Sequence, residues 1–200
     1  QLDIERGKLT DIRKLSWQTD DAIGYRSWGY IEGETFKSSK YLVNNLVDIV
    51  SKNGNLLLNI GPRPDGSIPQ EVKETLLSVG NWLRINGEAV YGTRPWKKFG
   101  EGPTKVAGGS FSDNKDNPFT ADDIRFTAKG ETLYAISLDN PVKKLQIQSL
   151  AMNAGKIVSV EMIGSPVKMN WKQDDKQLTI DPLAAYPAKE GVAFRIRFEK

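Results

Sequence analysis

The run Asn55–Ile60, NLLLNI, is apolar almost throughout and lies between two segments of helical periodicity. A strand that is buried on both faces and flanked by helices belongs to a parallel sheet, whose helical crossovers cover it above and below. Upstream, Leu42, Val43, Leu46, Val47 and Val50 recur every three or four residues. Ser38 or Ser39 can cap the start of that helix and Asn53-Gly54 its end. Downstream, Val72, Leu76, Val79 and Leu83 form a second stripe. Pro69 is expected at its first helical position, Glu71 in the first turn, and Asn86-Gly87 at the stop. Shorter strands are expected in LDIE and KLSWQ. The stretch GPRPDGSIP, after the apolar run, is then a strand-to-helix loop. It has no Gly-Lys-Ser/Thr, and Pro62 and Pro64 lack the N–H groups that a phosphate loop aims at its ligand.

The pattern changes near residue 97. Alternating runs follow, including DIRFTAKG, ETLYAISLD, KIVSVEMIG and VAFRIRFE, separated by turns such as Lys129-Gly130 and Asp139-Asn140-Pro141. Short strands at this spacing predict an antiparallel β-sandwich. Residues 1–96 are therefore read as α/β and 97–200 as all-β. Gly100–Asp123, rich in Gly, Asp and Asn, is read as irregular loop. Within it, DNKDN at 113–117 is a solvated turn rather than a calcium loop.

Composition removes several chemistries. Among 200 residues there is neither histidine nor cysteine. Ser-His and Cys-His catalysis, thiolate metal sites and disulfides are excluded, and any acid–base chemistry falls to Asp, Glu, Lys or Tyr. No cofactor or metal is expected. The net charge of +3 is spread without a basic run or nucleic-acid motif, so no nucleic-acid partner is expected. No apolar stretch approaches the roughly 18–20 residues of a membrane span.

Three segments of the first half are polar or aromatic where a strand should end: Glu5-Arg6-Gly7, then SWQTDDAIGYRSWGY, then NGNLLLNIGPRPDGSIP. In a β/α barrel, the C-terminal strand ends build the active site. Aromatic rings beside carboxylates and an arginine suit a sugar, whose C–H faces stack on the rings. The alternatives for these residues are ordinary: an ion pair for Glu5, a surface position for Arg6, packing for Trp17 and Trp28. Asp20 and Asp21 are further carboxylates near the site, or caps. Asn59 is expected to brace the rim through hydrogen bonds.

In order, SWQTDDAIGYRSWGY, NGNLLLNIGPRPDGSIP and VGNWLRINGEAVYGTRPW resemble the C-terminal part of the catalytic domain of the α-L-fucosidases of glycoside hydrolase family 29. The resemblance implies the end of a (β/α)8-like barrel over 1–96, followed by the family's C-terminal β-sandwich. It implies a retaining exoglycosidase whose nucleophile Asp lies upstream of this chain, so the chain reads as an inactive fragment that needs the upstream part of the barrel. Some members carry Trp-Glu where this chain has Trp17-Gln18. Gln cannot supply a proton, and Glu5 is left as the acid/base candidate. Arg6, Trp17, Gln18 and Trp28 become candidates for binding sugar, with Trp28 near its C6 methyl and Trp17 either lining the pocket or supporting it from behind. The implied partner is a fucosylated glycan, and the implied location periplasmic or secreted, lysosomal in a eukaryote. The rival reading is a non-catalytic carbohydrate-binding sandwich with Trp171 or Tyr186 as platform.

Overall fold

The computed structural model describes residues 2–112 and 118–199. The DNKDN segment lies outside them. Strands β1 (Leu2–Glu5), β2 (Trp17–Ala22) and β3 (Gly54–Asn59) form a parallel sheet in the order β1-β2-β3. Helix α1 (Ser39–Ser51) connects β2 to β3, and α2 (Gln70–Asn86) follows β3. Strands β4 (Arg94–Glu101), β5 (Ile124–Lys129), β6 (Thr132–Ser137), β8 (Ile157–Met162) and β11 (Val192–Phe198) make a five-stranded antiparallel sheet in the order β4-β5-β6-β11-β8. Strands β7 (Leu145–Ile147), β9 (Trp171–Gln173) and β10 (Leu178–Ile180) make a second antiparallel sheet, ordered β7-β10-β9.

Local chemistry sets the helix ends. Ser38 Oγ accepts the Tyr41 N–H at 3.2 Å and caps α1. Asn53, at φ +72°, turns the chain out of α1, a left-handed position that asparagine tolerates. Pro69 is the N-cap of α2 rather than its first helical residue, with extended backbone at ψ 142°. Gly87 closes that helix by donating to Leu83 C=O.

Helix α1 is buried on two sides. Leu42 and Ile49 face the parallel sheet, while Val43 and Val47 pack with Trp82 of α2 against Tyr134, Ile136 and Ala193 of the five-stranded sheet. Each such side chain removed from water stabilises the fold by about 1.5–3 kcal/mol. The other face of that sheet carries Ile124, Phe126, Leu133, Phe194 and Ile196. These share one core with Leu145, Ile147, Leu178 and Ile180 of the smaller sheet.

Two expectations change. The division at 96/97 falls inside β4, which pairs with β5 from Arg94 onward; Pro95 and Lys97-Lys98 hide this edge strand in the sequence. Strand β3 is also not buried on both faces: Leu57 is 58% exposed, on the face opposite α1.

Candidate functional site

Alternation along the three parallel strands sorts their side chains. Ile4, Trp17, Thr19 and Asp21 are buried toward the helices. The other face carries Asp3, Glu5, Gln18, Asp20, Asn55, Leu57 and Asn59, all exposed or half-buried. Register arranges this open face in layers: Asp3 beside Gln18 beside Asn55, then Glu5 beside Asp20 beside Leu57, with Asn59 at the top. Glu5 and Asp20 thus occupy neighbouring strands, about 4.8 Å apart along the hydrogen-bonding direction. Glu5 is exposed at the C-terminal end of β1. Asp20 Oδ1 is buried and lacks a hydrogen-bond partner among the described residues.

Trp17 is not a sugar ligand. It is 0% exposed, and its indole Nε1 donates to Lys52 C=O at 2.9 Å. Period two puts Trp17 and Gln18 on opposite faces, so only Gln18 reaches the open side and Trp17 supports the sheet from behind. Asp21 is likewise turned away. Its Oδ1 accepts from Lys37 Nζ at 2.5 Å and from Ala22 N–H at 2.8 Å, and Oδ2 accepts from Asn45 Nδ2 at 3.3 Å. Asp21 is a structural tie between β2, α1 and the segment joining them.

That segment, residues 23–37, carries Trp28. Its base is pinned by Lys37 N–H on Ile23 C=O, by a Gly24–Phe36 bridge, and by Tyr25 N–H on Thr35 C=O. Its interior is organised by Glu34, whose side chain is only 4% exposed. The Glu34 carboxylate accepts from the backbone N–H groups of Ser27 at 3.0 Å and Thr35 at 2.8 Å, and from Arg26 Nε at 3.3 Å. Burial works to raise this carboxyl, but the N–H groups of Thr35 and Arg26 and the Arg26 charge outweigh it and hold Glu34 below the usual carboxylate range. Sequence reasoning missed Glu34, because most of its partners are backbone N–H groups, which carry no side-chain signal in the sequence.

Arg6 joins the segment to β1. Residue 6 adopts φ +46°, and its guanidinium donates to Gly24 C=O at 3.0 Å and Tyr25 C=O at 2.8 Å. It lies 3.8 Å from Asp21 Oδ1 and 5.4 Å from the centre of the Trp28 ring. Its fork is therefore engaged by the protein, and it orients Trp28 through a cation–π contact. On the far side the loop passes over Gly61. A Cβ there would stand 3.3 Å from Trp28 C=O, and Gly61 sits at φ +50°, two reasons for glycine in NIGP. Trp28, half-buried, lines a narrow depression with Asn59. Asn59, the last residue of β3, is exposed on the open face beside Trp28.

The second half also reaches this end of the sheet. Gly109 N–H donates to Lys8 C=O, Phe111 N–H to Glu5 C=O at 2.8 Å, and Ser112 N–H to Arg6 C=O at 3.0 Å. Beneath that contact Asp48 is completely buried. Its Oδ1 accepts from Arg125 Nε and its Oδ2 from Lys52 Nζ, both at 2.6 Å. Burial alone would raise the Asp48 carboxyl, but the charges of Arg125, Lys52 and Lys8 hold it below its ordinary value. Tyr186 offers no free platform, since its hydroxyl donates to Pro141 C=O and accepts from Leu183 N–H while its ring packs on the core.

Comparison with known proteins identifies the family. The family profile described as Alpha-L-fucosidase matches residues 2–88, and that described as Alpha-L-fucosidase C-terminal domain matches residues 116–197. The human tissue alpha-L-fucosidase is 34% identical over 196 residues, covering 92% of this chain and 38% of that protein. The crystal structure of Thermotoga maritima alpha-fucosidase in complex with fucose superposes with a TM-score of 0.73 at 33% identity, over 92% of this chain and 40% of that one. Alpha-L-fucosidase isoenzyme 1 from Paenibacillus thiaminolyticus superposes with a TM-score of 0.77 at 25% identity, over 99% and 45%. The chain thus spans less than half the length of these relatives. With both profiles matched in order and related enzymes aligned across nearly the whole chain, the protein belongs to the α-L-fucosidase family, of which it represents a C-terminal part.

Proposed function

We propose that the protein containing this chain is a retaining exo-α-L-fucosidase that removes terminal α-L-fucose from fucosylated glycans. The observation that carries the reading is the placement of Glu5. It ends a parallel strand on the open face, at one level with Asp20, one layer above Gln18, below the loop that presents Trp28. The three strands then form part of a (β/α)8-like barrel whose remaining strands cover Leu57 and supply the nucleophile Asp, and the two antiparallel sheets form the C-terminal β-sandwich.

In this reading, Glu5 protonates the glycosidic oxygen while the nucleophile attacks the anomeric carbon. Its carboxylate then takes a proton from the water that releases fucose. Trp28 stacks on the sugar, Gln18 and Asn59 hydrogen-bond its hydroxyls, and Arg6 positions Trp28. The chain alone lacks the nucleophile and is inactive. A glycoconjugate substrate would suit an enzyme in the periplasm or outside the cell, or in the lysosome of a eukaryote.

The test uses the full-length protein. Glu5→Gln should lower kcat on an unactivated fucoside by about 100- to 10 000-fold. Glu5→Ala should regain turnover of an activated aryl fucoside when azide is added, releasing α-L-fucosyl azide with retained configuration. Asp20→Ala is the control and should give no azide product. Unchanged activity of Glu5→Gln on a poor leaving group would sink the assignment.

A further inference from the structure

The docked loop from the second half has a use beyond holding two domains together. Just past β1, the Arg6 N–H points to β2, where it donates to Asp20 C=O at 2.8 Å. Backbone groups of successive strand residues point to opposite edges, so the Glu5 carbonyl points away from β2. It is there that Phe111 N–H meets it. The end of β1 that carries Glu5 is thus met on its free edge by the backbone of Phe111, while Trp28, brought by the segment after β2, is held against Arg6.

Several details show that this loop is built for its place. Gly7 lies directly beneath it, and a Cβ at position 7 would overlap Gly109 C=O. The glycine of Glu5-Arg6-Gly7 is thus a requirement of the loop's approach. Ser112 Oγ donates to Gly109 C=O at 2.8 Å and closes the turn. Phe111 itself adopts φ +56°, a left-handed conformation that a bulky residue rarely enters and that the surrounding hydrogen bonds must impose. Yet its ring is 57% exposed. Among the described residues the ring is largely uncovered, and the strained backbone holds its residue at the strand end that carries Glu5.

We propose that Phe111 is a specificity-determining residue that stacks on the leaving-group sugar of the glycan. The proposal rests on Glu5 being the acid/base. A general acid touches the glycosidic oxygen, so the group bonded to that oxygen lies beside the acid. With Trp28 against the fucose, the edge of β1 met by Phe111 is open to the sugar next to it. An aromatic face on the C–H face of a pyranose supplies this contact. The second domain then helps choose which fucosides are cut.

The experiment compares Phe111→Asn and Phe111→Trp with the unaltered full-length enzyme. Asparagine accepts the left-handed backbone and removes the ring. The substrates are a set of fucosylated disaccharides and α-L-fucosyl fluoride, whose leaving group has no surface to stack. Phe111→Asn should lower kcat/KM on the preferred disaccharides about tenfold, chiefly through KM, a loss of about 1.4 kcal/mol. It should leave fluoride hydrolysis within about twofold, and Phe111→Trp should retain the disaccharide activity. An equal loss on the fluoride, or no loss on any disaccharide, would overturn the proposal. Failure of the unaltered enzyme to hydrolyse the fluoride would overturn the fucosidase reading, and this proposal with it.

Discussion

Replacing Asp48 with asparagine tests how the two halves are held together. Both carboxylate oxygens are used at 2.6 Å, one by Arg125 from the five-stranded sheet and one by Lys52 from the end of α1. At an effective dielectric of about 20, each contact is worth about 6 kcal/mol of attraction. Burying each ion costs several kcal/mol, so the network is close to balance while it is whole. Asp48→Asn keeps the shape and removes the charge that balances two buried cations, and such a loss typically costs about 3–5 kcal/mol. Because a multidomain enzyme need not unfold in one step, native-state hydrogen exchange read at α1 and β5 amides is the suitable assay. Opening there should become about 150- to 5000-fold more frequent. Arg125→Met should be costly alone and nearly neutral in the Asp48→Asn background. A loss under about 1 kcal/mol, or costs that simply add, would refute the argument. The pH dependence has a definite sign. Asp48 is depressed when folded, so its contribution is complete above the ordinary carboxylate range and is lost as pH falls through and below it.

Trp17→Phe should lower stability by about 0.5–1.5 kcal/mol by removing the shorter of the two hydrogen bonds to the buried Lys52 carbonyl, which keeps only the Arg13 N–H at 3.3 Å, with KM unchanged. A KM change without a stability loss would return Trp17 to the sugar site. Glu34→Gln should slacken the segment that carries Trp28 and raise KM about three- to tenfold with kcat little altered. In the unaltered enzyme the same rise in KM should appear as pH falls to below the ordinary carboxylate range, because a depressed carboxyl contributes only while ionised; a KM flat with pH there would count against this.

Much of the frame was legible because it rests on local period. The stripes of α1 and α2, the serine cap and most antiparallel strands follow from spacing and turn residues. Leu57 misled because an all-apolar strand looks the same whether its second face is covered within the chain or by other residues. The site was legible as a set of segments but not as directions. Period two requires Trp17 and Gln18 to face opposite ways, but their order alone does not say which faces the helices. That was decided by α1, which needs a flat apolar partner. Pairings such as Asp48 with Arg125, 77 residues apart, and Phe111 with Glu5, leave no local signal, since neither partner's neighbourhood is unusual.

The overlap that a side chain at position 7 would produce has a consequence for how such enzymes can change. The two halves cannot be exchanged as separate modules. A β-domain taken from a relative would have to retrace the backbone of positions 109 to 112, or the strand end that presents Glu5 would lose the N–H groups bonded to its carbonyls. Insertions in that loop, harmless in most surface connections, would here be felt at the strand end that carries Glu5. Drift in the second domain is thereby restrained by the backbone of the first.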